Sequence, residues 1–308
     1  MGTKQKRQLG QLAMLAGLIL SGFVGLKTHQ STAIAIESQT VTIQFEGMVG
    51  DSPFACGQTY DLGTPTTAMT PLDFRLYISE VALIDADGNE VPLILQQDGR
   101  WQHQDVALID FEDKSGACTN GTVETRAQVI GAVPAGDYSG LKFTLGVPFS
   151  LNHVDSTLAP SPLNLTAMWW NWNFGYKFAR IDLLSATAAA PATPDSAAHD
   201  KQHDEAFNGF AIHLGSVGCQ MDATQSPVVC SVPNRAEVLL TNFDPTEDVV
   251  VADLAALLSQ TNLAENQENT AIGCMSSPAD GDCAGIMQNL GLPFNDQSVH
   301  EQIFFHVK

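Results

Sequence analysis

Residues 73–95 read DFRLYISEVALIDADGNEVPLIL. Phe74, Leu76 and Ile78 recur at every second position, the period of a strand with one face turned to a core. Asp87-Gly88-Asn89 then supplies turn chemistry, and Val91-Pro92-Leu93-Ile94-Leu95 returns, which predicts a hairpin. Asp85, Asp87 and Asn89 also have the spacing that opens a calcium loop. That loop needs glycine where Glu90 stands and an acid where Gln96 stands, so the hairpin turn is the better reading.

The same pattern extends in both directions. Val41, Ile43 and Phe45 alternate with polar residues, and further strands are expected at 106–111, 123–130, 141–147, 169–181, 207–214 and 236–243. Gly and Pro punctuate the intervals, and no long helical pattern interrupts them. Many short strands without helices predict an all-β fold, an antiparallel β-sandwich or barrel. Residues 185–205 are rich in Ala, Pro, Ser and Asp and lack core residues, so a flexible loop is expected there. Residues 248–263 carry apolar residues at helical spacing: Val251, Leu254, Leu257 and Leu258. With Cys274 and Cys283 they suggest a short helical, disulfide-stapled C-terminal region over 248–308.

The chain begins differently. Lys4, Lys6 and Arg7 precede an apolar run over 9–24, and Ala33-Ile34-Ala35 offers a cleavage site. Residues 1–35 therefore read as a secretory signal peptide, leaving one β-rich domain over 36–308 in the periplasm, secreted or at the cell surface. An uncleaved leader would instead anchor the chain, and membrane contact is expected only in that case. The leader holds four of the 14 basic residues and no acid, so the remainder carries 10 basic against 34 acidic residues, a formal −24. Such a surface repels nucleic acid and attracts cations or a basic partner, and it also serves plain solubility.

Six cysteines follow the leader: Cys56, Cys118, Cys219, Cys230, Cys274 and Cys283. An even count in an exported chain reads as disulfides. Short intervening loops suggest Cys219–Cys230 and Cys274–Cys283, leaving Cys56–Cys118. No C-x-x-C occurs, so zinc knuckles and thioredoxin-type redox motifs are unsupported.

Residues 146–182, GVPFSLNHVDSTLAPSPLNLTAMWWNWNFGYKFARID, concentrate the chemistry. Trp169, Trp170 and Trp172 crowd beside Met168, shortly after His153. In an extended segment Met168, Trp170, Trp172 and Phe174 would share one face and Trp169 the other. The cluster suits an aromatic core layer, a stacking platform for sugars, or an oxidisable indole. Opening the pyrrole ring to kynurenine would leave an aniline nitrogen and a ketone oxygen, both better metal donors than indole. Imidazole is the usual partner donor in exported copper sites. His213, in FAIHLG, and His153 are the leading ligand candidates, and His103, after Trp101, is a third. His199 and His203 have metal-compatible spacing but sit in the loop-like stretch. No Ser-His-Asp elbow, H-E-x-x-H or phosphate-binding glycine loop is present.

The stretches LNHVDSTLAPSPLN, MWWNWNFGYKFARID and FAIHLGSVGC resemble the MbnP family, also called metallo-mystery-pair four-Cys-motif proteins, which include CorA-like proteins of methanotrophs. DFRLYISEVAL, VALIDFEDKSGACTNGT, GLKFTLGVPF and GCMSSPADGDC match in the same order, covering about residues 40–290. The resemblance implies a periplasmic copper-binding protein acting in copper handling, and not an enzyme. Its site is completed when a dihaem cytochrome c peroxidase-like partner, MbnH, oxidises a tryptophan to kynurenine. Carried onto this chain, it makes His153 and His213 ligands and Trp170 or Trp172 the modified residue, with Trp169 the outsider. Cys56, Cys118, Cys219 and Cys230 match the family's four cysteines. The alternative expectation is an exported β-sandwich that stacks a carbohydrate or peptide on its tryptophans.

Overall fold

The strand that contains Phe74 is the longest among the described residues, Thr67–Asp85, and it lies at the centre of the larger of the two main sheets. The computed structural model describes residues 37–171, 173–186 and 208–308. In the larger sheet the order is Gly209–Leu214, Ala179–Ser185, Thr67–Asp85, Tyr138–Leu145, Ala236–Thr241, all antiparallel. Val106–Asp110 also pairs with the central strand, through Arg75 to Ser79. A bulge at Glu80, whose φ is +53°, bends the strand between these partners.

The second sheet runs Phe305–Val307, Val249–Asp253, Ser38–Val49, Gln128–Pro134, Ile94–Leu95. Its inward residues Val41, Ile43 and Phe45 are the alternating set read from the sequence, and all are buried. The sheets pack as a sandwich. Phe143 of the larger sheet meets Phe45 at 5.8 Å and Phe305 at 5.0 Å, both edge to face.

The hairpin turn forms as expected. The Asp85 carboxylate accepts from the backbone N–H of Asp87 at 2.9 Å and of Asn89 at 2.8 Å. Glu90–Pro92 returns along the central strand, whereas Ile94–Leu95 crosses to the second sheet.

Four expectations need correction. The strand placed at 123–130 is Gln128–Pro134, with only a bridge from Arg126 to Asp110 before it. The segment 169–181 is two elements, a short hairpin and then Ala179–Ser185. Of 248–263 only Leu254–Leu258 is helical, because Val249–Asp253 pairs in parallel with Ser38–Val49. The C-terminal region is thus partly a component of the sandwich, and its helices Leu254–Leu258 and Ala284–Asn289 pack beside it. The alternation at Phe74, Leu76 and Ile78 also conceals a second buried face. Asp73, Arg75, Tyr77 and Ser79 are buried too: Arg180 meets Asp73, which pairs with Arg75, Tyr176 meets Tyr77, and Arg235 meets Ser79. Tyr77, for example, donates its hydroxyl to the Pro162 carbonyl at 2.8 Å and meets Tyr176 edge-on at 5.7 Å. Of the loop expected at 185–205, Ser185 ends a strand and residues 187–205 lie outside the described residues.

Disulfides join Cys56–Cys118, Cys219–Cys230 and Cys274–Cys283, the pairs suggested by the short loops. They belong to an oxidising, extracytoplasmic setting. Among the described residues no helix is long and apolar enough to cross a membrane.

The second face of the central strand buries charge. Arg75 forms a two-pronged ion pair with Asp73, and Asp110 and Glu112 lie close enough to feel its charge. Burial pushes the Asp110 carboxyl up to about 8; Arg75 opposes this, while Glu112 and Asp73 add to it. Between about pH 4 and pH 8 the folded protein therefore holds a proton that the unfolded chain has lost, so stability falls as pH rises through this window. Asp110→Asn should flatten that slope in urea unfolding followed across the window. Replacing Cys56 and Cys118 together by Ala, which opens a separation of 62 residues, should cost about 2–5 kcal/mol in the same assay.

Candidate metal centre

His153 ends the one-turn helix Phe149–Asn152, which starts after Pro148. Its ring lies 4.9 Å from that of Phe149, and its Nε2 lies 3.5 Å from Cys230 Sγ and 3.3 Å from Asn152 Nδ2. Cys219 Sγ belongs to the same cluster. Both sulfurs are spent in a disulfide, so they offer no thiolate, which leaves His153 as the candidate ligand of the three.

Asn152 ties this turn to the tryptophans. Its Oδ1 accepts from the Tyr176 backbone N–H at 2.9 Å. Tyr176 belongs to the hairpin Trp169–Asn171/Gly175–Tyr176, which follows a 3-10 turn at Thr166–Met168. Asn171 Oδ1 shapes the hairpin's tip, accepting from the N–H groups of Asn173 and Phe174 at 2.9 and 3.0 Å. Gly175 has φ +79°, and a Cβ there would lie 2.3 Å from the Asn152 carbonyl oxygen, so only glycine brings the two so close.

The tip breaks the continuous strand expected from the alternation. Met168 is buried in the 3-10 turn, whereas Phe174, beyond the tip, is 40 % exposed and meets Trp170 edge-on at 6.3 Å. Trp169 packs against the core, and its buried Nε1 has no hydrogen-bond partner among the described residues. Trp170 lies on the other side, over Gly215, where a Cβ would come within 2.5 Å of the indole. Its ring centroid is 6.4 Å from that of His213. Trp172, the other candidate for oxidation, lies outside the described residues, as do His199 and His203.

His213 is 7 % exposed on strand Gly209–Leu214. Its Nε2 lies 2.7 Å from Asp182 Oδ1, and its Nδ1 has no hydrogen bond to a described residue. Burial, reinforced by the Lys177 charge, lowers its pKa to about 4 despite Asp182. The ring is therefore neutral at physiological pH. The carboxylate holds the proton on Nε2, which leaves the Nδ1 lone pair as the donor.

Asp182 is itself held ionised. Burial would raise its pKa, but Arg180 and His213 outweigh burial and keep it well below the usual carboxylate range. Arg180 Nε lies 2.8 Å from Asp182 Oδ2 and 3.1 Å from Asp73 Oδ2, which joins the site to the Asp73–Arg75 pair. Lys177 is pulled down to about 8, first by burial and then by Arg180. The Arg180 NH1 group and Lys177 Nζ both donate to the Ala167 carbonyl, at 2.9 and 3.3 Å.

The structure thus brings His213 beside Trp170, and hangs the His153 turn on the same hairpin through Asn152. His103 stands apart from this arrangement. It ends the short strand Gln102–His103, its Nε2 contacts Gln104 at 3.3 Å, and it joins no metal-capable cluster among the described residues. The residues the sequence reading passed over are Asp182, Arg180, Lys177, Asn152 and Gly215. Arg-x-Asp in KFARID was a usable signal, since residues two apart on a strand share a face.

Comparison with known proteins fits this geometry. Residues 38–276 match the MbnP family model. MbnP from Methylosinus trichosporium is 30 % identical and superposes with a TM-score of 0.74, over 88 % of this chain and 99 % of that one. Comparison with curated proteins gives no match. A family match across most of the chain, with a solved relative that shares the whole sandwich, makes this chain a member of the MbnP family.

Proposed function

We propose that this protein binds copper outside the cytoplasm, with His153 and His213 as imidazole ligands and an oxidised tryptophan of the hairpin completing the site. The observation that carries the reading is His213. It is a buried, neutral imidazole whose Nε2–H is held by Asp182 and whose ring lies 6.4 Å, centroid to centroid, from that of Trp170. A carboxylate that accepts from the far ring nitrogen in this way orients a ligating histidine and raises its basicity. The donors fit the metal: two nitrogens without a thiolate suit Cu(II), and the nearest sulfurs are locked in a disulfide.

Indole is a poor ligand, so oxidation of Trp170 or Trp172 to kynurenine would supply the missing donor. The chain has no C-x-x-C-H haem site, so the oxidising equivalents come from another protein. Membership of the MbnP family supports a dihaem partner of the MbnH type in that role. Residues 1–35 act as the export signal, and the formal charge of −24 on the remainder, 10 basic against 34 acidic residues, favours approach of a cation or of a basic partner face. The protein's part is then metal handling and not turnover.

The test is peptide mass spectrometry across residues 169–172, with copper content, on protein made with and without the dihaem partner. Kynurenine and one copper per chain are expected only with the partner. Intact tryptophans and no copper in both samples would overturn the proposal and favour a stacking platform for sugar or peptide. In processed protein His153→Ala and His213→Ala should lose copper, and Asp182→Asn should weaken binding by about 10–100-fold in a competition assay. Of Trp170→Phe and Trp172→Phe, both of which keep aromatic volume, only the variant at the oxidised position should lose copper.

A further inference from the structure

The first strand of the sandwich is open along part of one edge. Ser38–Val49 pairs with Gln128–Pro134 through the whole of Ser38 to Gln44 on one side. On the other side its parallel partner begins only at Gln44, opposite Val249. Glu37 O accepts from Ala135 N and Phe45 N donates to Ala127 O. The odd-numbered residues therefore spend their backbone groups on the Gln128–Pro134 side. In an antiparallel ladder the alternate residues face away. Ser38, Thr40 and Thr42 thus turn their N–H and C=O groups to the other side, where no described residue pairs with them.

That side is a groove of about 660 Å³ between the strand and the turn over 244–248. Its lining holds four carboxylates, Asp137, Asp244, Glu247 and Asp248, and no cation. Lys308, just past the strand Phe305–Val307, is engaged with Glu46 at 2.7 Å. An unpaired strand edge is a template for another strand, and native proteins normally cover or blunt it. Here the outward side chains are Thr40, Thr42 and Gln44, which neither repel nor block an incoming backbone. A second copy of this chain would bring another formal −20 against the carboxylates.

From the register and this charge we infer that the groove is a docking site for an extended, basic peptide segment of a partner protein. The segment adds as a strand along Ser38–Ile43, its backbone pairs with Thr40 and Thr42, and its Lys or Arg side chains reach Asp137 and Glu247. The main chain supplies affinity and the carboxylates supply selectivity for charge. This surface is assigned independently of the metal centre.

The probe is a synthetic peptide of alternating lysine and valine, about 8 residues long. Titration at low and at physiological salt, with amide hydrogen exchange on the full chain, reads the outcome. Binding should weaken with salt and protect the Thr40 and Thr42 amides. Asp137→Asn with Glu247→Gln should weaken it about tenfold. Thr42→Pro should abolish it while keeping the unfolding midpoint, since only an outward N–H is lost. A peptide of alternating glutamate and valine should not bind. Absence of binding, equal binding of the acidic peptide, or protection elsewhere than Thr40 and Thr42 would overturn the inference. So would self-association along this edge in sedimentation of the chain alone.

Discussion

The structure depends on burying ions on the covered outer face of its larger sheet. Asp73 and Arg75 sit on that face of the central strand, with Arg180 and Asp182 on the strand beside it and His213 on the next. The pairs are nearly dry, so each charge requires its neighbour: removing one partner would leave the other buried and uncompensated. Arg180 bridges both carboxylates and thereby links the structural pair to the histidine. The arrangement holds an imidazole neutral, orients its proton, and does so from rigid strands and not from a loop.

Around this rigid half the rest of the site is hung by close backbone approach. Gly215 admits the Trp170 ring, and Gly175 admits Asn152. Asn152 then carries the turn that ends in His153, and the Cys219–Cys230 disulfide backs that histidine. The tryptophan hairpin is therefore tied to two imidazoles from different parts of the chain, to His213 by the approach of Trp170 and to His153 through Asn152.

The fold was legible where physics is local. Alternation located Val41, Ile43 and Phe45, turn chemistry located Asp85 to Asn89, and loop length suggested the disulfides. It failed where a distant segment decides. Arg75 and Ser79 look like solvent positions, yet both are buried, Arg75 against Asp73 and Ser79 against the distant Arg235. Val249–Asp253 shares its apolar spacing with the helix after it, and only pairing with the first strand makes it extended. For the site, His213 and the tryptophans could be singled out by residue type. The carboxylate that orients His213 could not, because Asp182 lies 31 residues away and meets it only through strand pairing.

The first strand, Ser38–Val49, lies against Val249–Asp253, which lies against Phe305–Val307, one residue before the end of the chain. The second sheet is thus complete only when segments far apart in the sequence have met. Contacts of such long sequence separation are slow to find. A chain built in this way completes its second sheet late, as a cooperative step. The same linkage makes Phe305–Val307 a structural latch: its loss would uncover the edge of Val249–Asp253 and loosen the sheet.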